Sequence, residues 1–438
     1  MKKITRRAVS VLLLAALVIV GLTVYVLRYI DHGADWALYF NRLNSGSSGE
    51  LLDRNGVVLA SFSADENLYA ADALTRTANY HVTGDYWGRT STGILSTYWN
   101  KMQGFSLLTG TTRSTAATTR LYIDAGLNNT AYAGLNGQKG CVLVVNYKTG
   151  ELVCMVSTPA IDPADPNAVP GEGAFINRAL SSVFVPGSIF KLVTAAAAIE
   201  TVPDLESKRF YCEGKGYISG VEINCTGSHY TQTFEQALAN SCNVAFSKIA
   251  TLVGQDNMVK YVRGYGFLDP HRLDDIPTAA GSYPLDFVGD PELGWSGIGQ
   301  STDLVCPFAM LRYVAAIANG GVLAEPRLIL TDEPPAETRL LEASTASKLK
   351  EMMSYNVVTH YDPAHSFPGI SHLCAKTGTA ETGDGSSHAW FTGFLDDPRH
   401  PYAFVVVIER GGGGLQAAAP VANRMLQAAI ASDGNGQG

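Results

Sequence analysis

From Ala8 to Leu27 the chain carries no charged residue. Twenty residues at a helical rise of about 1.5 Å span about 30 Å, the thickness of a bilayer's hydrocarbon core, so this run predicts a membrane-spanning helix. Lys2, Lys3, Arg6 and Arg7 precede it, and Arg28 and Asp31 follow. That bias leaves the amino terminus in the cytoplasm and puts the rest of the chain outside. A cleaved leader has a shorter apolar core followed closely by a small-x-small site; Arg28 to Tyr39 offers none, so an uncleaved anchor is expected.

The chain has 438 residues, 46% hydrophobic and 16% charged, which suits two or three domains with one large core. A net charge of −8 argues against a general nucleic-acid binder. The seven cysteines are scattered, and no histidine groups with them at metal-ligand spacing, so neither a metal nor a cofactor is expected. Cys212 and Cys225 bracket a glycine-containing loop and could pair. Cys141, Cys154, Cys306 and Cys374 lie in apolar runs and read as small core residues, and Cys242 should point into the core as well.

Asp35 to Ser48 starts as a possible membrane-proximal helix and ends in linker composition. Glu50 to Ala60 reads as a hairpin around Asn55-Gly56, and Ser61 to Thr119 as a polar, aromatic accessory module. Leu121 to Gln138 turns helical towards its end, and Gly140 to Pro159 is a second hairpin. Helices are expected over Lys191–Glu200, Glu235–Leu252, Pro307–Asn319, Ser344–Val357 (capped by Ser344) and Gln416–Ala431, the last followed by a glycine-rich tail. Strand-like runs cover Leu373–Thr379, Ala389–Leu395 and Ala403–Ile408, so one sheet should be assembled from both ends of an α+β domain.

Within this frame Pro186-Gly187 closes a loop and Ser188 begins a helix, three residues before Lys191. A hydroxyl there faces the helix's positive end, with a lysine one turn on to take its proton and free backbone N–H groups to hold an oxyanion. Alone, so short a spacing is better explained by a capping serine beside a solvated lysine. It is joined by Ser241-x-Asn243, 53 residues on, and by Lys376-Thr377-Gly378, another 135 on. Each motif has a decoy: Ser347/Lys350, Ser354/Asn356 and Lys148-Thr149-Gly150. Ser347 and Lys350 fall opposite the apolar Leu349, Met352 and Met353 of a helix, and Lys148–Gly150 is a hairpin turn. Lys376–Gly378 instead lies in a strand whose edge could pair with an extended peptide, Gly378 permitting close approach.

In that order and context the chain resembles the class B penicillin-binding proteins over nearly its whole length. Ser48-Gly49-Glu50-Leu51-Leu52-Asp53-Arg54-Asn55-Gly56 is similar to the family's R-G-x-I-x-D-R-N-G, with Ser48 in place of arginine. Thr149-Gly150-Glu151, Asn177-Arg178, Gly297-Ile298-Gly299-Gln300, Lys376-Thr377-Gly378-Thr379-Ala380-Glu381 and Ala389-Trp390-Phe391 are further landmarks. The resemblance implies the transpeptidase fold, a mainly antiparallel sheet flanked by helices, after a short β-containing pedestal. The divisions expected are anchor 1–33, pedestal 34–125, transpeptidase domain 126–432 and flexible tail 433–438.

It further implies that Ser188 attacks the carbonyl between two D-alanines of a peptidoglycan stem peptide, giving an acyl-enzyme that a second strand's amine resolves. Lys191 would be the base, its pKa depressed by Lys376, the helix terminus and burial. Ser241 would relay the proton, and Asn243 would position Lys191 or the substrate. Lys376, Thr377 and Thr379 would bind the terminal carboxylate, and the backbone N–H groups of Ser188 and Thr379 would form the oxyanion hole. β-Lactams would acylate Ser188, and a membrane glycan polymerase is the partner implied. Two rivals remain: a β-lactamase or D,D-carboxypeptidase using water, for which no E-x-x-L-N-like segment supplies a base, and a non-catalytic β-lactam-binding scaffold or sensor.

Overall fold

The computed structural model describes residues 2–41, 49–62, 67–102, 117–284, 286 and 289–435. The apolar run lies in one helix, Lys2–Asn41, of which Ile4–Ile30 is unburied and long and apolar enough to cross a membrane, its most apolar 18 residues having mean hydropathy 2.7. The expected linker, Ser48 included, lies outside the described residues, as does 436–438 of the tail.

Asp53-Arg54-Asn55-Gly56 closes the first hairpin because Asp53 supplies the turn's acceptor. Its Oδ1 takes the N–H groups of Asn55 and Val57, each at 2.8 Å. Strands β1 (Gly49–Leu52) and β2 (Val58–Phe62) flank this turn; β3 (Asn67–Tyr69) pairs with β2, and β4 (Ala117–Arg120) runs parallel to β1. The same turn joins this small sheet to the larger domain. Asp53 Oδ2 accepts the Ala125 N–H at 3.0 Å, Asn55 donates to Asp124 at 3.2 Å, and Arg54 pairs with Glu151 at 3.2 Å.

The second hairpin is β5 (Gly140–Asn146) and β6 (Leu152–Thr158). Next come the long hairpin β7 (Phe210–Ile218) and β8 (Val221–Gln232), and two short pairs: β9 (Arg272–Leu273) with β10 (Ile276–Pro277), and β11 (Val322–Ala324) with β12 (Glu337–Arg339). The carboxy-terminal strands are β13 (Leu373–Glu381), β14 (Ser387–Leu395) and β15 (Tyr402–Ile408). As expected, both ends of the domain build one sheet, in the order β13-β14-β15-β5-β6 with every neighbouring pair antiparallel.

Period-two alternation explains the continuous apolar runs. On β15, Ala403, Val405 and Val407 enter one core while Phe404, Val406 and Ile408 enter the other. The first core is covered by helices Lys191–Thr201 and Pro307–Ala318, the second by Ala125–Leu135 and Ala419–Asn435. Each fully buried Val, Leu or Phe contributes roughly 1.5–3 kcal/mol. Because both faces are covered, only the edges are left to meet a ligand.

Three helix expectations are corrected. The stretch 235–252 is two helices, Phe234–Ala239 and Asn243–Val253, broken at Ser241, whose φ is +51°. Helix Ala343–His360 begins one residue before Ser344, with Glu342 at its N-cap, so Ser344 is not the cap. The last helix begins at Ala419, after a wider turn at Gly414–Ala418, and continues to Asn435.

Candidate active site

Ser188 sits in a tight 3-10 turn, Gly187–Phe190, that runs directly into helix Lys191–Thr201. The loop before it is held by Trp390, whose Nε1 donates to the Val185 carbonyl at 3.0 Å. Ala195–Ala198 are buried, and their small side chains let the helix lie close against its neighbours. Lys191 is thereby drawn fully out of solvent while Ser188 remains half-buried and reachable.

A buried ammonium needs acceptors, and four surround Lys191. Its Nζ lies 2.9 Å from Ser188 Oγ, 2.5 Å from the Ser241 carbonyl, 3.2 Å from Ser241 Oγ and 2.7 Å from Asn243 Oδ1. The break at Ser241 explains this convergence. With the left-handed residue between two helices, Ser241 presents both its carbonyl and its hydroxyl to the same amine, which an unbroken helix would prevent. Asn243 is oriented by its Nδ2, which donates to the Asn224 carbonyl at 3.0 Å.

Lys376 enters from β13, the outer strand of the sheet, and donates to Ser241 Oγ at 3.0 Å. The two lysines thus meet at one hydroxyl. Burial brings Lys191 down to about 8, while the thiols of Cys225 and Cys242 act in the opposite direction. Burial, and then the charge of Lys191, hold Lys376 well below the usual lysine value. Of the three causes expected to depress Lys191, namely Lys376, the helix terminus and burial, burial is the largest, and the repulsion between the lysines registers on Lys376.

The structure brings Ser188, Lys191, Ser241, Asn243 and Lys376 together. Thr377 alternates to the other side of β13, its hydroxyl 3.0 Å from that of Tyr361, which also accepts the Thr377 N–H at 2.8 Å. Tyr361 was not expected; it follows helix Ala343–His360, and no local pattern distinguishes it. Thr379 is exposed on the strand. Gly378 is also needed for a reason not expected: a Cβ there would come within 2.8 Å of the Pro186 carbonyl, so it admits the chain's own serine loop.

The decoys are structural. Lys350 pairs with Asp396 at 2.6 Å, Lys148 Nζ reaches Asn319 at 2.8 Å, and buried Asn356 donates to the Ala375 carbonyl at 2.8 Å. All seven cysteines are free thiols, so Cys212 and Cys225 do not form a disulfide. His229 lies with Cys212, Cys225 and Cys242, against the expectation that no histidine groups with cysteine.

A serine, a buried lysine, a second serine with its asparagine, and a lysine on an open sheet edge define a serine acyl-transfer centre. Residues 140–427 match the family described as penicillin binding protein transpeptidase domain, and the chain belongs to that family. It is 28% identical over 313 residues to Stage V sporulation protein D of Bacillus subtilis, covering 65% of this chain and 48% of that one. It is also 28% identical over 340 residues to the peptidoglycan D,D-transpeptidase PbpA of Mycobacterium tuberculosis, covering 67% of each. The chain therefore spans about half the length of the first relative and two thirds of the second. Among solved structures, penicillin-binding protein A from M. tuberculosis, a penicillin G acyl-enzyme, superposes with TM-score 0.71 at 23% identity, covering 88% of this chain and 100% of that one. The D,D-transpeptidase domain of a peptidoglycan glycosyltransferase from Eggerthella lenta gives TM-score 0.75 at 25% identity, covering 89% and 99%.

Proposed function

We propose that this protein is a peptidoglycan D,D-transpeptidase working through a Ser188 acyl-enzyme. The observation that carries the reading is the 2.9 Å contact between Lys191 Nζ and Ser188 Oγ, with the amine fully buried. Neutral Lys191 takes the proton as Ser188 Oγ attacks the carbonyl between two D-alanines. The oxyanion forms against the backbone N–H groups of Ser188 and Thr379, a device worth about 10²–10³ in rate per donor. The C–N bond then breaks, and Ser241, within 3.2 Å of Lys191, relays the proton to the departing amine. An acceptor amine from a second strand reverses these steps, forming the cross-link and freeing Ser188. Lys376 and Thr379 receive the terminal carboxylate; Thr377 sits behind them with Tyr361.

Fluorescent penicillin should label the protein durably, and Ser188→Ala should abolish the label. Rapid turnover of the label would instead indicate a hydrolase, and no covalent label a binding protein without chemistry.

The division into anchor 1–33, pedestal 34–125 and transpeptidase domain 126–432 is supported by the small sheet lying within residues 49–120 and the family match within 140–427; of the tail assigned to 433–438, the first three residues belong to the last helix, where Asp433 accepts from Tyr402. The amino terminus is cytoplasmic and the catalytic domain external, on the strength of Lys2, Lys3, Arg6 and Arg7 before the apolar run. Protease added outside spheroplasts should therefore digest the domain; protection would reverse the orientation. The partner, a membrane glycan polymerase of the shape, elongation, division and sporulation type, rests on the resemblance. A pull-down of full-length protein should recover it, and equal recovery with residues 1–125 replaced would count against engagement through anchor and pedestal.

A further inference from the structure

Behind Lys191, four side chains from three elements converge: Cys212 on β7, Cys225 and His229 on β8, and Cys242, at the start of helix Asn243–Val253 between Ser241 and Asn243. Their donor atoms all lie within 4.8 Å of one another. Residues four apart on an extended strand stand about 13 Å apart. Cys225 Sγ and His229 Nδ1 are nevertheless 3.6 Å apart. The pairing of β7 with β8 explains it: Lys215 opposes Asn224 and Glu213 opposes Ser228, so residues 225–227 bulge out opposite Gly214 and the chain folds back on itself.

Two of the six donor separations, Cys225 to His229 and Cys225 to Cys242, already match a known coordination shell, and all six fall within 4.8 Å. Tetrahedral zinc, with Zn–S about 2.3 Å and Zn–N about 2.0–2.1 Å, sets sulfurs about 3.8 Å apart and a sulfur about 3.6 Å from a ring nitrogen. Cys225 and Cys242 sulfurs are 3.8 Å apart, too far for a disulfide, whose S–S length is about 2.05 Å. Backbone N–H groups already point at two of them: Asn243 donates to Cys225 Sγ at 3.3 Å, and Ala245 to Cys242 Sγ at 3.4 Å. Such bonds suit thiolates, and outer-shell contacts of this kind orient metal ligands. By contrast, Cys141 and Cys154 sit in the two cores of the sheet and Cys306 against the Ala179 and Leu180 carbonyls, and among the described residues none of these three joins a cluster of three or more possible metal ligands.

We propose that Cys212, Cys225, His229 and Cys242 bind one zinc ion in a closed, structural Cys3His site. Binding takes the three sulfurs as thiolates and releases their protons to solvent. The ion fastens the bulge of β8 to the start of helix Asn243–Val253. It thereby holds Ser241 and Asn243, which flank Cys242 and both bond Lys191, making the four ligands positioning residues for the acyl-transfer centre.

Full-length protein purified in detergent, with thiol reductant and no chelator, should retain about one zinc per chain. Cobalt(II) added to metal-stripped protein should give tetrahedral d–d absorption with a thiolate-to-cobalt charge-transfer band, both lost in Cys225→Ser and in His229→Ala. Should a variant fail to fold, stripped wild-type protein serves instead: zinc should raise its Tm and restore the rate of penicillin labelling. Absence of retained zinc together with no cobalt spectrum in the reduced wild type overturns the site, as does a Cys225–Cys242 disulfide in protein isolated without reductant. Metal content and spectrum do not depend on the transpeptidase reading, so their failure strikes this inference alone. Zinc bound without penicillin labelling strikes the other.

Discussion

Acylation by a labelled penicillin should accelerate as pH rises through about 8 and then level off, and Lys191→Met should lose that dependence with most of the rate. The sign follows from the base's task. Lys191 can accept the Ser188 proton only when neutral, and its neutral fraction grows about tenfold per pH unit below its pKa. Burial has lowered that pKa from 10.5 to about 8, so near pH 7 about a tenth of the molecules are competent. Methionine matches the stem's bulk without offering a base, and removing a positioned general base costs about 10²–10⁴ in rate. It also strips a donor from Asn243 Oδ1 and the Ser241 carbonyl, a loss of about 1–3 kcal/mol, so Tm should be measured alongside. Lys191→Arg separates the two effects: it retains charge and hydrogen bonds but cannot deprotonate, and it should label as slowly as methionine. A variant labelling at the wild-type rate with the same pH curve would remove Lys191 from the chemistry.

The second lysine sharpens this argument. Lys376 shares Ser241 Oγ with Lys191, and both are buried, so the pair resists holding two charges. On the proposed reading, a carboxylate brought to Lys376 would supply a counter-charge favouring its ammonium form, while burial would still hold Lys191 down.

What could be read in the sequence, and what could not, divides along physical lines. The sheet was legible because both faces are buried, leaving short unbroken apolar runs rich in β-branched and aromatic residues, such as Phe404–Ile408, where a buried helix such as Lys191–Thr201 is built on alanine instead. The five converging residues were legible because their motifs stand together in order, while Ser347 lies on an exposed helix face and Lys148–Gly150 in a turn; the Ser354/Asn356 decoy is separated by the structure, which buries Asn356 against the Ala375 carbonyl. Ser241's left-handed backbone was hidden, because the apolar periodicity of residues 234–253 continues across the break and the compensating bonds come from Lys191, fifty residues away in sequence. The cluster around Cys242 was hidden for a related reason. Its spacing depends on a bulge in β8 that only pairing with β7 creates. Tyr361 and Thr377 meet across sixteen residues through packing of a helix end on a strand, for which no local signal exists.

Gly299→Ala should cost about 2–4 kcal/mol of stability and slow acylation with it, though the residue bears no reactive group. Its φ is +73°, and a Cβ there would fall 2.2 Å from the Gly187 carbonyl oxygen and 2.7 Å from the Phe190 Cβ. Both obstacles belong to the 3-10 turn carrying Ser188, and Gly187 in turn donates its N–H to the Gly299 carbonyl at 2.8 Å. Neither backbone can yield without displacing the other, so the added methyl should move the nucleophile away from Lys191, where the contact is 2.9 Å. Gly137→Ala is the control. Its φ is +77°, but nothing lies within 4 Å of the new Cβ, so it carries only the left-handed penalty of about 1–2 kcal/mol. Calorimetry should therefore find Gly299→Ala the less stable of the two, and labelling should slow in that variant alone. If the two proteins melt and label alike, the Gly187–Gly299 contact does not position Ser188, and the backbone conformation at each glycine accounts for all of the loss.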